Sequence, residues 1–384
     1  MEPLVRWIIL LLALSPFAFY LLALYSAHRF FRNRPAEPPA NFTPPLSVLK
    51  PVRGLDHDAY NNFASFCAQN YPADYEILFC VPEETDPAVP VIRQIIRDFP
   101  DRSIRLLVGF EPIGTNLKVD KLVRMAKEAR YDFLVISDSD IRVEPHYLAS
   151  VAGPFRDPAV GVVTCLYRGR ADNSFASKLE AVSNSTEFQP GVLVAWLMEG
   201  VKFALGATMA VRRQALDDMG GFEVLADHYS DDFETGNRIA AKGWKVDLCP
   251  WPVVTVFPKQ TMGECFRHQV RWALTTRHSR PLGHLGLGLT FGLPWSVAAA
   301  VVAPSWPVAG AYLGAYVVLR LAVAWQVGVV GLQDAALKRR LWWFPVRDAF
   351  GLMVWVTSFF KRRIIWRGSP YYVRNQRLVP AGRS

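Results

Sequence analysis

Hydrophobic and polar positions alternate in different ways along this chain, and the changes of pattern divide it. From Trp7 to Ala27 the sequence WIILLLALSPFAFYLLALYSA carries no charge, and about 20 such residues cross a ~30 Å hydrocarbon core as a helix. The run is longer than the apolar part of a signal peptide, and His28, Arg29, Arg32 and Arg34 come after it in place of a small-residue cleavage site, so residues 1–34 read as an anchor. Basic residues beside a span stay on the cytoplasmic side, which places the chain beyond Arg34 in the cytoplasm. Toward the other end, Leu285–Pro304 and Val308–Leu332 are each long enough to span, and their short link predicts a helical hairpin over 285–332. Arg320 interrupts the second run and is expected to face protein or a polar cavity, as a structural partner or as part of a headgroup site. A shorter stretch, Ala349–Phe360, lies between Lys338-Arg339-Arg340 and Lys361-Arg362-Arg363. That favours an interfacial or re-entrant helix over 341–360 ahead of a basic tail, with 283–384 as a membrane region.

Between these segments the pattern turns to short strands and helices. Residues 35–45 (PAEPPANFTPP) form a stiff proline-rich linker, and a domain is expected over 46–282, ordinary in size for one core. Leu46–Leu49, Glu76–Val81, Ile104–Val108, Phe133–Ile136 and Trp244–Leu248 read as strands, while Asp58–Asn70, Val89–Asp98 and Lys118–Ala129 have apolar positions at helical spacing. Such alternation predicts a mostly parallel α/β sheet with helices on both faces. Residues 175–205, which include VLVAWLMEGVKFAL, are unusually apolar and form either a buried core helix or a segment on the membrane interface.

Composition changes this picture little. The 384 residues are 51% apolar and 20% charged with mean hydropathy +0.12, too apolar for disorder and too charged for a chain wholly in lipid. Net charge is +9, an excess that suits a positive-inside membrane protein, an anionic lipid or a phosphorylated substrate. Cys67, Cys80, Cys165, Cys249 and Cys265 are scattered without a CxxC pair, so they read as reduced, buried thiols and not as disulfides or a zinc site.

Candidate chemistry lies at the carboxyl ends of the strands, where α/β sheets bind ligands. Asp86 follows a strand and precedes Pro87; it either caps a helix start or meets a ligand. Asp138 and Asp140, one residue apart after a buried strand, can give two oxygens to one hard divalent cation and leave room for phosphate and water. Asp231-Asp232 opens a helix near Phe233. Adjacent acids suit a helix N-terminus, yet their mutual repulsion also raises the proton affinity of one, as a general base needs. His268 and Arg271 share a helical face just before the membrane hairpin, with Trp272 beside them; alone, that reads as a basic juxtamembrane helix.

Taken in order, Asp86, Asp138/Asp140, Asp231-Asp232, Arg271-Trp272 and then membrane helices resemble the D, D, D, (Q/R)xxRW signature of the ceramide glucosyltransferase family and its bacterial relatives, membrane-bound GT-A glycosyltransferases of the family 21/2 type. Lys50-Pro51-Val52-Arg53-Gly54, Tyr71-Pro72, Asp86-Pro87-Ala88, Ser139-Asp140-Ile141-Arg142-Val143 and Trp366-Arg367-Gly368 also fit. One position departs: His268 stands where the signature has Gln or Arg, which resembles the RHxxRW form of bacterial hopanoid-pathway glycosyltransferases.

The resemblance implies a Rossmann-like, nucleotide-sugar-binding GT-A domain in the cytoplasm, with transmembrane helices at both ends, in a bacterial inner membrane. It implies inverting transfer of one sugar from a UDP-sugar, UDP-glucose first, to the hydroxyl of a membrane lipid, ceramide or hopanoid. Mg²⁺ or Mn²⁺ would sit on Asp138 and Asp140, Asp86 would bind uridine, and Lys118 and Asp138 would contact the nucleotide. Asp232 would be the general base, with Asp231 in reserve. Arg271 and His268 would hold the diphosphate, with Trp272 packing beneath the site or the acceptor. The partners are then a UDP-sugar, an acceptor lipid and the bilayer, and no nucleic acid. Competing readings are a hopanoid-lipid N-acetylglucosaminyltransferase, transfer to a polyprenyl phosphate, and a non-catalytic membrane scaffold. A processive polysaccharide synthase would need more spans than these.

Overall fold

The computed structural model describes residues 3–38, 41–361, 363–366, 369–374 and 377–380; Arg367 and Gly368 of the Trp366-Arg367-Gly368 string lie outside them. The chain forms two compact units, one of Met1–Arg34, Ala171–Gly200 and Lys259–Arg362, the other of Pro35–Arg170, Val201–Pro258 and Arg363–Ser384. These units do not follow the continuous 46–282 segment expected from sequence, because 171–200 and 259–282 cluster with the apolar helices.

In the second unit, an eight-stranded sheet has the order β3-β2-β1-β4-β7-β6-β8-β5. Its strands are β1 Leu46–Pro51, β2 Tyr75–Val81, β3 Ser103–Val108, β4 Phe133–Ser137, β5 Ile141–Arg142, β6 Val160–Ala171, β7 Thr208–Arg212 and β8 Lys245–Phe257. β3, β2, β1 and β4 are parallel, with Leu46 opposite both Tyr75 and Phe133. Every residue of β1 and β2 is buried, as expected where helices cover both faces of a parallel sheet. The helices Ala59–Cys67, Val89–Asp98 and Leu117–Glu128 fall where helical spacing predicted them. Phe63, Phe66, Phe79, Ile92, Val135 and Phe155 form part of the shared core.

The other half corrects the expectation of a mostly parallel sheet. β7 runs antiparallel to both β4 and β6, and β5 antiparallel to β8, so the sheet is mixed. β6 and β7 were not anticipated. In β6 the first seven residues are all buried, so no period-two alternation announces a strand there.

The mixed half sets up the next acidic pair. The helix Asp231–Ala241 packs at Gly236 against the backbone of Phe203 and Ala204, where an added Cβ would overlap, and Phe203 stacks on Phe233 at 6.1 Å. Glycine at 236 therefore lets the helix approach the loop before β7 closely. A three-stranded antiparallel sheet, β9 Arg363–Trp366, β10 Ser369–Arg374 and β11 Arg377–Pro380, ends the unit, with a bridge from Arg377 to His228.

The first unit is helical. Among the described residues, Pro3–Phe31 and Trp306–Gly331 are long and apolar enough to cross a membrane, and Pro281–Leu289 with Gly292–Val302, bent by 41°, could form a third span. Phe344–Phe360, preceded by a short turn at Leu341–Trp343, is the helix expected near 341–360. The apolar 171–200 segment packs beside the anchor: Trp196 meets Phe30 edge-on at 5.0 Å.

Arg320 is 2% exposed and has protein partners. Its guanidinium meets Asp348 at 2.8 and 3.1 Å and donates to the Thr186 carbonyl at 2.8 Å, Tyr316 donates to Asp348 at 2.9 Å, and Arg347 pairs with Glu187 at 2.6 Å. Of the two readings the sequence left open for Arg320, the structure shows a structural partner.

Candidate active site

Four carboxylates come together at the strand ends of the second unit. β4 ends at Ser137, and the next residue, Asp138, donates its backbone N–H to the Ala207 carbonyl at 3.3 Å. That contact ties the Asp138-Ser139-Asp140 turn to the loop before β7. The helix Asp231–Ala241 brings Asp231 and Asp232. Lys118 joins the two pairs: its ammonium lies 2.8 Å from Asp138 Oδ1 and 3.2 Å from Asp231 Oδ2. It is placed by Asn116, which caps the Leu117–Glu128 helix by accepting from the Lys118 and Val119 N–H groups and donates to the His228 carbonyl at 2.8 Å. A cap of this kind contributes about 1 kcal/mol.

The electrostatics follow from crowding acids in a partly closed site. Burial first, then the Asp138 and Asp56 carboxylates, push Asp140 up to about 7, against the opposing effect of Lys50. Burial and the neighbouring Asp231 push Asp232 up to about 6, while Lys118 and the Phe233 N–H oppose this. Asp232 nonetheless stays half-buried by surface area. Its carboxylate lies where a Cβ on Gly206 would sit 2.6 Å from Oδ2, so glycine there leaves room for it. Burial would lower the Lys118 ammonium, but Asp138, Asp231 and Asp232 outweigh it and hold the group above its ordinary value.

Asp86 has different surroundings. Its carboxylate accepts from the Gly54 N–H at 2.9 and 3.1 Å and from the Ala88 N–H at 2.9 Å. It therefore ties the 52–54 loop to the turn before the Val89–Asp98 helix, whose N-cap position is Ala88, with no side-chain cap.

His268, Arg271 and Trp272 lie on the helix Met262–Ser279 of the first unit. Thr261 and Glu264 start this helix with a reciprocal capping box. His268 Nδ1 is 2.8 Å from Glu180 Oε1, and the His268 ring is 4.3 Å from Trp272.

Sequence reading assigned no site role to three groups. Lys50, fully buried at the end of β1, donates to the Asp138 carbonyl at 2.7 Å and lies 4.0 Å from the Phe66 ring centre; burial pushes it down to about 7. Asp56 accepts from the Ser139 hydroxyl. Tyr167 on β6 is pushed upward, by burial first and then by Asp232, Asp140 and Asp138. A lysine at the end of an otherwise apolar strand was the available signal for Lys50; loop contacts announce neither of the others.

Among the described residues, no three His, Cys, Asp or Glu side chains converge as a metal-ligand group. The donor set nevertheless fits a hard divalent cation in one respect. Asp56, Asp138, Asp140, Asp231 and Asp232 outnumber Lys50 and Lys118, and the neighbouring carboxylates add to burial in raising Asp140 and Asp232. Two carboxylates would then have to be completed by phosphate oxygens and water.

Comparison with known proteins bears on the whole chain. Residues 8–379 match glycosyl transferase family 21. Ceramide glucosyltransferase 1 of Caenorhabditis elegans is 28% identical over 249 residues, 65% of this chain and 52% of that protein. The ceramide glucosyltransferase of Gibberella zeae is 35% identical over 124 residues, 29% of this chain and 24% of its own. The chain thus spans about half the length, or less, of these curated relatives. Among solved structures, the mannosyltransferase PcManGT from Pyrobaculum calidifontis, in complex with GDP-Man and Mn²⁺, superposes with a TM-score of 0.59 at 20% identity, covering 92% of this chain and 99% of that one. At that identity the likeness shows the fold, which is GT-A.

Proposed function

The chain belongs to glycosyl transferase family 21, and from that premise we propose that it transfers one sugar, with inversion, from a UDP-sugar to the hydroxyl of a membrane lipid. The observation that carries the reading is the Lys118 bridge between Asp138 and Asp231, which couples the Asp138/Asp140 end of the site to the Asp231/Asp232 end. A glycosyl transfer needs those two ends close: one holds the leaving diphosphate, the other takes the acceptor's proton.

Asp232 is the general base. An acceptor hydroxyl loses its proton only as its oxygen bonds to the anomeric carbon, and a carboxylate raised to about 6 is a better proton acceptor than an ordinary one while still ionised at neutral pH. Attack opposite the leaving group inverts the anomeric centre. Asp231 raises the proton affinity of Asp232 and, with Asp138, fixes Lys118. Asp138 and Asp140 hold Mg²⁺ or Mn²⁺, which when bound supplies Lewis-acid neutralisation of the diphosphate. Lys118 contacts the nucleotide from its position beside Asp138, and Asp86 shapes the uridine end through the Gly54 loop. Arg271 and His268 bind the diphosphate, with Trp272 beneath the acceptor.

Ceramide with UDP-glucose is the first substrate pair, after the names of the relatives. His268 in place of the signature's Gln or Arg favours a second one, a hopanoid lipid with N-acetylglucosamine. Mass spectrometry of lipids from cells expressing the chain separates them: a new hexosylceramide supports the first, an N-acetylhexosaminyl hopanoid the second. UDP release without lipid product counts against both. The catalytic unit faces the cytoplasm of a bacterial inner membrane in this reading. The sequon at Asn184 cannot test that, since its side chain is buried, but Asn41 is exposed; a glycan on Asn41 in a eukaryotic host would reverse the orientation.

A further inference from the structure

The turn that carries Asp138 and Asp140 is held at each of its three residues. Asp138 is fixed through its backbone: Lys50 donates to its carbonyl at 2.7 Å, and its N–H meets the Ala207 carbonyl at 3.3 Å. The Asp140 carbonyl accepts from the Val256 N–H of β8 at 2.9 Å. Ser139, between them, is held through its side chain, whose hydroxyl donates to Asp56. Asp56 comes from the loop between β1 and the Ala59–Cys67 helix. That loop is short and itself pinned. Gly54 (φ 73°) and Asp58 (φ 59°) are both left-handed and bend the chain on either side of Leu55-Asp56-His57, a conformation that Gly adopts freely and Asp more readily than most residues. The Gly54 N–H is held by Asp86, and Asp58 accepts from Arg142, whose guanidinium also donates to Asn62 at 2.9 Å. Loop and turn are thus joined twice, by Asp56 with Ser139 and by Asp58 with Arg142. Among the described residues, Asp56 does not converge with Asp138 and Asp140 as a third metal-binding side chain; its carboxylate is engaged by Ser139.

We propose that Asp56 is a positioning residue for the cation: by holding the Ser139 hydroxyl it fixes the turn on which both Asp138 and Asp140 are carried. The proposal rests on the reading of those two acids as metal ligands. Two carboxylates one residue apart can serve one ion only in a narrow set of backbone conformations. If the turn must be ordered when the ion arrives, the ordering cost is taken from the binding free energy; if folding has already ordered it, binding keeps the full gain. Groups that hold the ligands of a metal are for this reason nearly as important to its affinity as the ligands. The backbone contacts of Asp138 and Asp140 hold the two ends of the turn, and the Asp56 hydrogen bond holds its middle.

The test is Mn²⁺ binding by the full-length protein in nanodiscs with UDP present, read from the electron paramagnetic resonance signal of free Mn²⁺ and so independent of activity. Asp56→Ala should raise the Mn²⁺ dissociation constant about tenfold, the lower end of what loss of a ligand's support costs, while UDP binding without metal changes by less than about twofold. Ser139→Ala removes the other partner and should cost the same, and the double variant should cost no more than either alone, because the shared interaction is already absent. Asp56→Asn keeps an oxygen that accepts from the hydroxyl and should stay within about threefold of the wild type, the difference between a charged and a neutral acceptor. Asp56→Asn as weak as Asp56→Ala would make Asp56 a ligand or a charge acting on the ion, and overturns the proposal. Additive losses in the double variant, unchanged Mn²⁺ binding in Asp56→Ala, or an equal fall in metal-free UDP binding, the mark of a collapsed loop, overturn it as well. Should Asp56→Ala not purify as a folded protein, Ser139→Ala, which removes only a hydroxyl, decides: a tenfold loss supports the proposal and unchanged Mn²⁺ binding overturns it. A wild type that binds no Mn²⁺ ends the metal reading and the proposal together. One that binds Mn²⁺ but glycosylates no lipid ends the proposed function alone, and the variants still decide what Asp56 does.

Discussion

Each unit buries charge, but in opposite ways. In the membrane-type unit Arg320 and Arg347 face Asp348 and Glu187, two cations against two anions, and Tyr316 and Thr186 take up further hydrogen-bonding positions. In the sheet unit five carboxylates surround Lys50 and Lys118, and burial first, then the neighbouring carboxylates, raises the proton affinity of Asp140 and Asp232. A neutral network holds helices together, because removing either partner strands a charge. A cluster left short of positive charge is poised to receive it, from a cation or a proton. Both sites look similar in the sequence, as charged residues near apolar runs. Only the balance of their partners separates structure from chemistry.

Removing one cation from the balanced network should have the largest effect. Arg320→Ala leaves Asp348 buried without its guanidinium and should cost about 3–5 kcal/mol of stability, read as a fall in denaturation midpoint in detergent. Folded molecules should keep their transfer rate within about threefold, because none of the network's side chains belongs to the acidic cluster. Replacing both partners, Arg320→Met with Asp348→Leu, should recover most of the stability. A double variant as unstable as Arg320→Ala would mean that the network does more than satisfy itself.

The reverse signature belongs to the acid-rich cluster. Asp232→Asn keeps the volume and removes the base, so lipid glycosylation should fall by ~10²-fold or more, with UDP-sugar binding and the denaturation midpoint nearly unchanged. Full activity in this variant would move the base elsewhere. A loss of stability equal to that of Arg320→Ala would erase the distinction between the two regions.

Sequence patterning revealed the two regions unequally. β1 to β4 were legible because each is a short apolar run between turn residues, with helices of clear period between them; the acids at their ends could then be found by position. β6 and β7 were not, since a buried run without alternation is indistinguishable from helix or loop. Without those strands the sheet looked more parallel than it is. The five cysteines read as buried thiols and are so. The partners of Glu180 and Lys50 escaped notice for a physical reason: a lone charge on an apolar element reveals its partner only when distant segments pack together. Arg320 was legible as a residue needing a partner, but Asp348 could not be identified as that partner from spacing.

A smaller effect is expected at the cation end of the cluster. Asp140→Asn removes ligand charge without changing shape, so half-maximal activation by Mn²⁺ should need about tenfold more metal, with the fold intact by circular dichroism. An unchanged metal titration would separate Asp140 from the cation and leave the surplus charge of the cluster without its explanation.

The smallest change tests the origin of that surplus. Asp231 raises Asp232 by like-charge repulsion after burial has done most of the work, so its removal should affect tuning more than rate. The base works only when deprotonated, and a raised proton affinity moves the acid limb of the rate profile upward: in the wild type, kcat should fall as pH drops through about 6, losing tenfold per further unit. In Asp231→Asn the neighbouring charge is gone and Lys118 is left to Asp138 and Asp232, and both changes favour the ionised base. The limb should therefore move to lower pH, while kcat at pH 8 changes by less than about threefold, well below the loss expected from removing the base itself. A limb that stays in place would show that burial alone sets Asp232. If the limb moves upward, or Asp231→Asn abolishes transfer while Asp232→Asn does not, the roles of the two acids are exchanged, and the base is the residue that Lys118 touches.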